Sequence, residues 1–185
     1  MSDELAQVKH PVSAALAGPY GHPYHPMLVT MPIGAWVTSL IFDIASHLTS
    51  GPAFLTRGSS WLIAIGLIGG LAASATGFLD LIVIPVATPA ARTAIWHMSL
   101  VLAVMAAYVA NLLWRHGSHD AGSPVAGGPL ALSAGTLAVL TIGGYLGGKL
   151  SFRYGVRVAA ESVQAEGYRT APARHGPPSD QALIR

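Results

Sequence analysis

The sequence contains no cysteine and unusually few charged residues. Without cysteine, the chain cannot form disulfides, cysteine-ligated iron–sulfur clusters or covalent c-type haem, and thiol catalysis is excluded. Charged residues make up 10% of the 185 residues, whereas ordinary soluble domains carry about 25%. Together with a hydrophobic content of 52%, this deficit predicts an integral membrane protein. The net charge of +2 is small and indicates no nucleic-acid partner.

The N-terminal segment, residues 1–24, is polar and mixed in charge. Asp3 and Glu4 stand where a secretory signal peptide would be basic, and no apolar segment precedes His25. We therefore expect no cleavable signal.

Four long apolar runs predict an all-α, integral membrane four-helix bundle embedded in the lipid bilayer. The predicted helices span about 26–48, 61–84, 94–114 and 129–150. Pro32 is expected to kink the first of them. Residues 151–185 are expected to form a basic, partly disordered tail that carries Arg153, Arg157, Arg169 and Arg174. We detect no internal repeat. Because many transporters are built from repeats, the lack of one and the short length do not favour a transporter.

The distribution of basic residues predicts the orientation of the bundle. Four spans place both termini on one side of the membrane. The basic residues expected on that side are Lys9, Arg92, Lys149, Arg153 and Arg157, against Arg57 and Arg115 on the other. The positive-inside rule therefore predicts a cytoplasmic-membrane protein with both termini in the cytoplasm.

Ionisable residues near the ends of the helices mark an inner layer on the cytoplasmic side, formed by His25, Asp80, Arg92 and His97. Such residues are costly inside a membrane, so each is a candidate for function. Three interpretations stay open. His25 and His97 could be axial ligands of haem b, with Asp80 and Arg92 around the propionates. Alternatively, His25, Asp80 and His97 could hold zinc or iron, or relay protons. In a purely structural interpretation, Asp80 pairs with His97 or Arg92.

A second group, the outer layer, contains Asp43, His47, Asn111 and Arg115. His25 and Asp43 are 18 residues apart, or five helical turns, so they share a helix face but lie ~27 Å apart along it. We therefore expect the outer layer to be separate from the inner one and to be a structural ion pair of Asp43 with Arg115. The loops are expected to hold the solvated residues His10, His22, His119 and His175.

Several short motifs occur in an order that resembles a bacterial membrane family, domain of unknown function 2231. The motifs, between about Tyr24 and Val158, are His25-Pro26 with Val29 and Pro32, Phe42-Asp43, Gly77 with Asp80, Arg92 with His97, Gly143-Gly144 with Leu146, and Tyr154-Gly155-Val156. The resemblance implies a four-helix bundle in the plasma membrane and no established activity. Some relatives look fused to Rieske iron–sulfur domains, which implies a role beside electron transfer. Since this chain has no cysteine, such a domain would have to be a partner protein.

Three functional hypotheses follow. The first is a haem b protein or membrane subunit in electron transfer, with a redox or iron–sulfur partner. The second is a metal-binding or proton-relay protein using the inner layer. The third is a non-catalytic membrane anchor or assembly partner. No nucleophile–base arrangement outside the membrane points to a soluble enzyme, and whether the protein is an enzyme of another kind is left open.

Overall fold

The computed structural model describes residues 6–117 and 122–168. Its helices are α1 (Ala14–Ala17), α2 (Tyr24–Leu28), α3 (Thr30–Ser46), α4 (Ala53–Leu81), α5 (Pro89–Gly117), α6 (Gly127–Phe152) and α7 (Glu161–Glu166). No strand occurs among the described residues. Four helical stretches are long and apolar enough to cross a membrane: Tyr24–Ser46, Ala53–Leu81, Pro89–Gly117 and Gly127–Phe152. The predicted membrane four-helix bundle is therefore confirmed, while His119, Arg169, Arg174 and His175 lie outside the described residues.

The first span is interrupted at Val29, between α2 and α3. Proline has no N–H group and its ring clashes with the carbonyl four residues earlier, which for Pro32 belongs to Leu28. The hydroxyl of Thr30 donates to the carbonyl oxygen of Met27 at 2.7 Å, beside the interruption. The disturbance expected from Pro32 therefore lies one turn before the proline itself.

The bundle consists of two helical hairpins, α3 with α4 and α5 with α6, which pack side by side. The shared core contains Trp36, Ile63, Val104 and Tyr108, each at most 1% exposed. The rings of Trp36 and Tyr108 stack with centroids 4.4 Å apart and planes 14° apart. Gly66 makes room for this stack, since a Cβ atom at that position would lie 2.2 Å from the indole Nε1 of Trp36. The middle of the bundle is thus an aromatic contact between the hairpins.

The second and third spans are longer than the sequence predicts. The second begins at Ala53 rather than Trp61, and the third begins at Pro89 rather than Ala94. The extra turns of α4 carry polar side chains that face the bundle: Thr56 and Ser59 are buried. Hydropathy alone assigns such residues to a loop, because it contains no information about the hydrogen bonds that their hydroxyls make inside the protein.

We call the end where α2 and α5 begin the inner end, and the opposite end the outer end. At the inner end, residues 6–23 and 153–168 form a cap over the bundle. The cap shares an apolar cluster with the spans, formed by Val8, Ile84, Ala91, Ala94, Leu150 and Val156. Its two segments are joined where the Arg157 N–H donates to the Val8 carbonyl oxygen at 2.9 Å. The chain after α6 therefore turns back over the inner end as far as Ala160, whose N–H donates to the Tyr20 hydroxyl at 2.7 Å.

Candidate functional site

The structure brings together the imidazole rings of His25 and His97 at the inner end. Their ring centroids are 6.2 Å apart and their planes are perpendicular, at 89°. His25 lies in α2, which begins the first span and so belongs to the first hairpin. His97 lies more than two turns into α5, because this helix begins at Pro89 and not near Ala94 as predicted. Each hairpin therefore contributes one imidazole.

Both rings are held by the same kind of hydrogen bond. His25 Nδ1 lies 2.8 Å from the Ala73 carbonyl oxygen, and His97 Nδ1 lies 2.7 Å from the Gly143 carbonyl oxygen. A carbonyl oxygen can only accept, so each Nδ1 carries the hydrogen and donates it. In a neutral imidazole, Nε2 then keeps a free lone pair. Neither Nε2 has a hydrogen-bond partner among the described residues.

Two glycines allow these rings to lie against the neighbouring helices. A Cβ atom at Gly77 would lie 2.8 Å from His25 Nδ1, and one at Gly147 would lie 3.0 Å from His97 Cε1. The two glycines therefore determine how closely each imidazole can lie against the neighbouring helix.

A cleft of about 1520 Å³ opens beside the two histidines. Its walls along the spans come from α4 and α5 and include Ser74, Phe78, Met98 and Leu102. The cap contributes the basic residues that line its mouth, Lys9 and Arg153, together with the buried Arg157. Arg92, expected in this layer, is exposed in the first turn of α5 and does not line the cleft.

Asp80 lines the same cleft, but its carboxylate is engaged elsewhere. Oδ1 of Asp80 lies 2.8 Å from Nε of Arg157 in an ion pair between two buried side chains. Nη2 of Arg157 donates to the carbonyl oxygens of Ala17 and Gly18, each at 2.9 Å. The partner of Asp80 is therefore Arg157, and not His97 or Arg92 as expected. This ion pair fastens the cap to α4. Across residues 6–117 and 122–168, no three His, Cys, Asp or Glu side chains are placed to hold a metal ion.

At the outer end, the structure brings Asp43 and Arg115 together in a bidentate ion pair. Nη1 lies 2.9 Å from Oδ1, and Nη2 lies 2.6 Å from Oδ2. The two side chains are 0% and 3% exposed. Asn111 accepts from Arg115 Nε at 2.7 Å, which extends the pair along α5. His47, assigned to the same layer, is exposed at the end of α3 and takes no part.

Two serines complete the outer network. Ser59 of α4 donates to Asp43 Oδ1 and accepts from Arg115 Nη1 at 3.0 Å. Ser133 of α6 accepts from Asn111 Nδ2 at 3.0 Å and from Arg115 Nη2 at 3.3 Å. All four spans thus contribute to one buried, hydrogen-bonded network, a geometry that suits structure more than chemistry. Neither serine was predicted to belong to this layer, because an isolated serine in an apolar run carries no signal of its partner.

Comparison with known proteins identifies a family. No curated protein and no solved structure matches the chain significantly. One family model, described as a predicted membrane protein (DUF2231), matches residues 21–160. That range includes the four spans, both histidines and the outer network. Because the match covers well over half of the sequence, the chain belongs to the DUF2231 family of predicted membrane proteins.

Proposed function

We propose that the protein binds one b-type haem between His25 and His97 and carries electrons in the membrane. The observation that supports this proposal is the separation of the two rings, whose centroids are 6.2 Å apart. Metal–imidazole bonds are about 2.0–2.1 Å long, so two imidazoles on opposite sides of one metal have ring centroids roughly 6 Å apart. The pair therefore has the spacing of two axial ligands.

The hydrogen bonds of the two rings favour the same proposal. Histidines that bind a metal through one nitrogen usually donate from the other to a carbonyl or carboxylate, which fixes the tautomer and the orientation of the ring. His25 and His97 both do so, through the carbonyls of Ala73 and Gly143. As a purely structural contact the pair has little value, because both rings present an acceptor and share no hydrogen bond.

The number of ligands favours haem over a bare metal ion. Zinc in a protein takes three or four side-chain ligands, and non-haem iron is typically held by two histidines and one carboxylate. The two histidines have no third ligand beside them in the described part of the chain. Haem needs only two axial ligands, since the porphyrin supplies the other four. The zinc or iron hypothesis, which used Asp80 as third ligand, has no comparable support because Arg157 engages that carboxylate.

The cleft beside the histidines suits a large amphipathic ligand. Its volume of about 1520 Å³ exceeds the roughly 300–1,000 Å³ typical of small-molecule sites. Lys9 and Arg153 at its mouth could bind the propionates, the role first expected of Arg92. A haem with two protein ligands has no open position for oxygen, which favours electron transfer over oxygen chemistry. The electrons would come from, or go to, a redox protein such as an iron–sulfur protein.

The location that we propose is the cytoplasmic membrane, with the inner end in the cytoplasm. The basic residues at the inner end are Lys9, Arg92, Lys149, Arg153 and Arg157, whereas Arg57 and Arg115 lie at the outer end. This asymmetry follows the positive-inside rule. The haem site would then lie near the cytoplasmic surface.

The test is an absorption spectrum of detergent-purified protein, expressed with ample haem and compared before and after reduction with dithionite. The expected result is a Soret band that sharpens on reduction, with an α band. His25→Ala and His97→Ala should each lose the six-coordinate spectrum, and free imidazole should restore it. His47→Ala is the matched control, because this histidine is exposed and distant.

Two results would contradict the proposal. One is a spectrum without haem bands at full protein loading, which would leave the role of an anchor or assembly partner. The other is equal haem content in the His25, His97 and His47 variants, which would show that any bound haem lies elsewhere.

A further inference from the structure

The first and third spans repeat one another in sequence, 72 positions apart. His25 corresponds to His97, and the residues identical at the same offset include the pairs Leu28/Leu100, Val29/Val101, Ala35/Ala107, Val37/Val109 and Leu40/Leu112. Two other buried residues of the first span also have counterparts, since Trp36 corresponds to Tyr108 and Asp43 to Arg115. The repeat, which the sequence analysis did not detect, is weak enough to escape notice until the structure shows which positions are equivalent.

The second and fourth spans repeat one another at an offset of 70. The identical residues include the pairs Gly58/Gly128, Leu62/Leu132, Ala64/Ala134, Leu67/Leu137 and Gly77/Gly147. The change of offset from 72 to 70 falls in the loops between the spans of each hairpin. The two hairpins therefore have related sequences.

Equivalent residues make equivalent contacts inside the two hairpins. A Cβ at Gly58 would lie 2.9 Å from the ring of Phe42, and one at Gly128 would lie 2.6 Å from the ring of Trp114. Phe42 and Trp114 are themselves 72 positions apart. The same holds at the inner end, where Gly77 and Gly147 accommodate the two histidines.

Three residues of the first hairpin meet their own counterparts in the second. His25 faces His97, Trp36 stacks on Tyr108, and Asp43 pairs with Arg115. A residue can contact its own equivalent only near a two-fold axis. Three such pairs, at three depths along parallel helices, define an approximate two-fold axis along the bundle.

We infer that the bundle is an internal dimer of two diverged copies of one helical hairpin. The face that each hairpin turns to the axis is then a self-association surface, whose partner is a second hairpin of the same kind. Asp43 and Arg115 make the association directional. Two identical hairpins would place two aspartates or two arginines against each other in a buried site, a strongly unfavourable arrangement. This inference does not depend on whether haem is bound.

The test exchanges the axis residues between the hairpins in the full chain. Asp43→Arg and Arg115→Asp each bring like charges together, and we expect roughly tenfold less monodisperse protein after detergent extraction. The exchange variant Ser39→Asn/Asp43→Arg/Asn111→Ser/Arg115→Asp exchanges two equivalent pairs between the hairpins, Ser39 with Asn111 and Asp43 with Arg115. If the two faces are equivalent, it should give at least roughly fivefold more folded protein than either single variant.

A second measurement locates the axis without disturbing the ion pair, and it uses the absence of native cysteine. Ser39 and Asn111 are fully buried between the aromatic and ionic pairs, so Ser39→Cys/Asn111→Cys should cross-link when oxidised with copper phenanthroline. Val37 and Val109 are the matched control, since they occupy equivalent positions but are 42% and 45% exposed. The inference is overturned if the exchange variant folds no better than the single variants, or if the control pair cross-links as well as the buried pair.

Discussion

Replacing Gly77 by alanine should damage both the stability of the bundle and the position of His25. The new methyl carbon would lie 2.8 Å from Nδ1 and 2.9 Å from Cε1 of the imidazole. Carbon atoms in comfortable contact lie about 3.5–4.0 Å apart, so the ring must withdraw by roughly 0.7 Å. That movement stretches the hydrogen bond to Ala73, now 2.8 Å long, beyond the normal range.

The size of the effect follows from three contributions. Overpacking costs about 1–3 kcal/mol, and the lost hydrogen bond costs about 0.5–1.5 kcal/mol. Alanine in place of glycine stabilises a helix by about 1 kcal/mol. The free energy of unfolding of Gly77→Ala should therefore fall by about 0.5–3.5 kcal/mol.

Two other glycines provide an internal scale. Gly147→Ala creates a milder contact, 3.0 Å from His97 Cε1, and should be destabilised less. A methyl group at Gly144, on the same helix, would meet no neighbouring atom within 4 Å, so Gly144→Ala should be as stable as the wild type or slightly more stable. The assay is unfolding by sodium dodecyl sulfate in mild detergent, followed by far-ultraviolet circular dichroism. If Gly77→Ala proves as stable as Gly144→Ala, the proposed fit of His25 against α4 is wrong.

Two further predictions concern the ion pairs. Asp43→Asn should lower the free energy of unfolding by about 3 kcal/mol or more, because it leaves the Arg115 charge buried without its counter-ion. In the same unfolding assay His47→Ala, exposed at the end of the same helix, should change little, and equal effects of the two variants would argue against a stabilising outer network. Arg157→Gln removes the ion pair with Asp80 and the hydrogen bonds to the N-terminal segment. The backbone amides of residues 6–23 should then exchange with deuterium faster while those of the spans do not, and unchanged exchange would show that Arg157 does not fasten the cap.

Features that depend on a single helix were predictable from the sequence. Helical geometry alone separates His25 from Asp43 by five turns on one face, and the structure has them at opposite ends of the first span. The four apolar runs likewise indicated the class of fold, since each span must form its own backbone hydrogen bonds inside a membrane, whatever its neighbours are. The ends of the helices were less predictable, because Thr56 and Ser59 look like loop residues until their buried partners are known.

Features that depend on contacts between distant segments were not predictable. Arg157, and not Arg92, is the partner of Asp80, because the chain after α6 turns back over the bundle. Gly155, at a φ of 69°, marks the end of α6, but nothing local shows that the following residues bring Arg157, at a φ of 61°, against the bundle. The roles of Gly77 and Gly147 were equally hidden, since a small residue in a helix indicates a close neighbour without saying which one.

The cap has a consequence for the order of events during biosynthesis. Arg157 follows the last span, so it leaves the ribosome only after all four helices have been made. Until then Asp80 has no partner from this segment, and the inner end lacks half of its cover. The cleft beside His25 and His97 is thus most accessible in the nascent protein, and closing the cap becomes a late step of maturation. A large ligand would enter most easily before synthesis is complete.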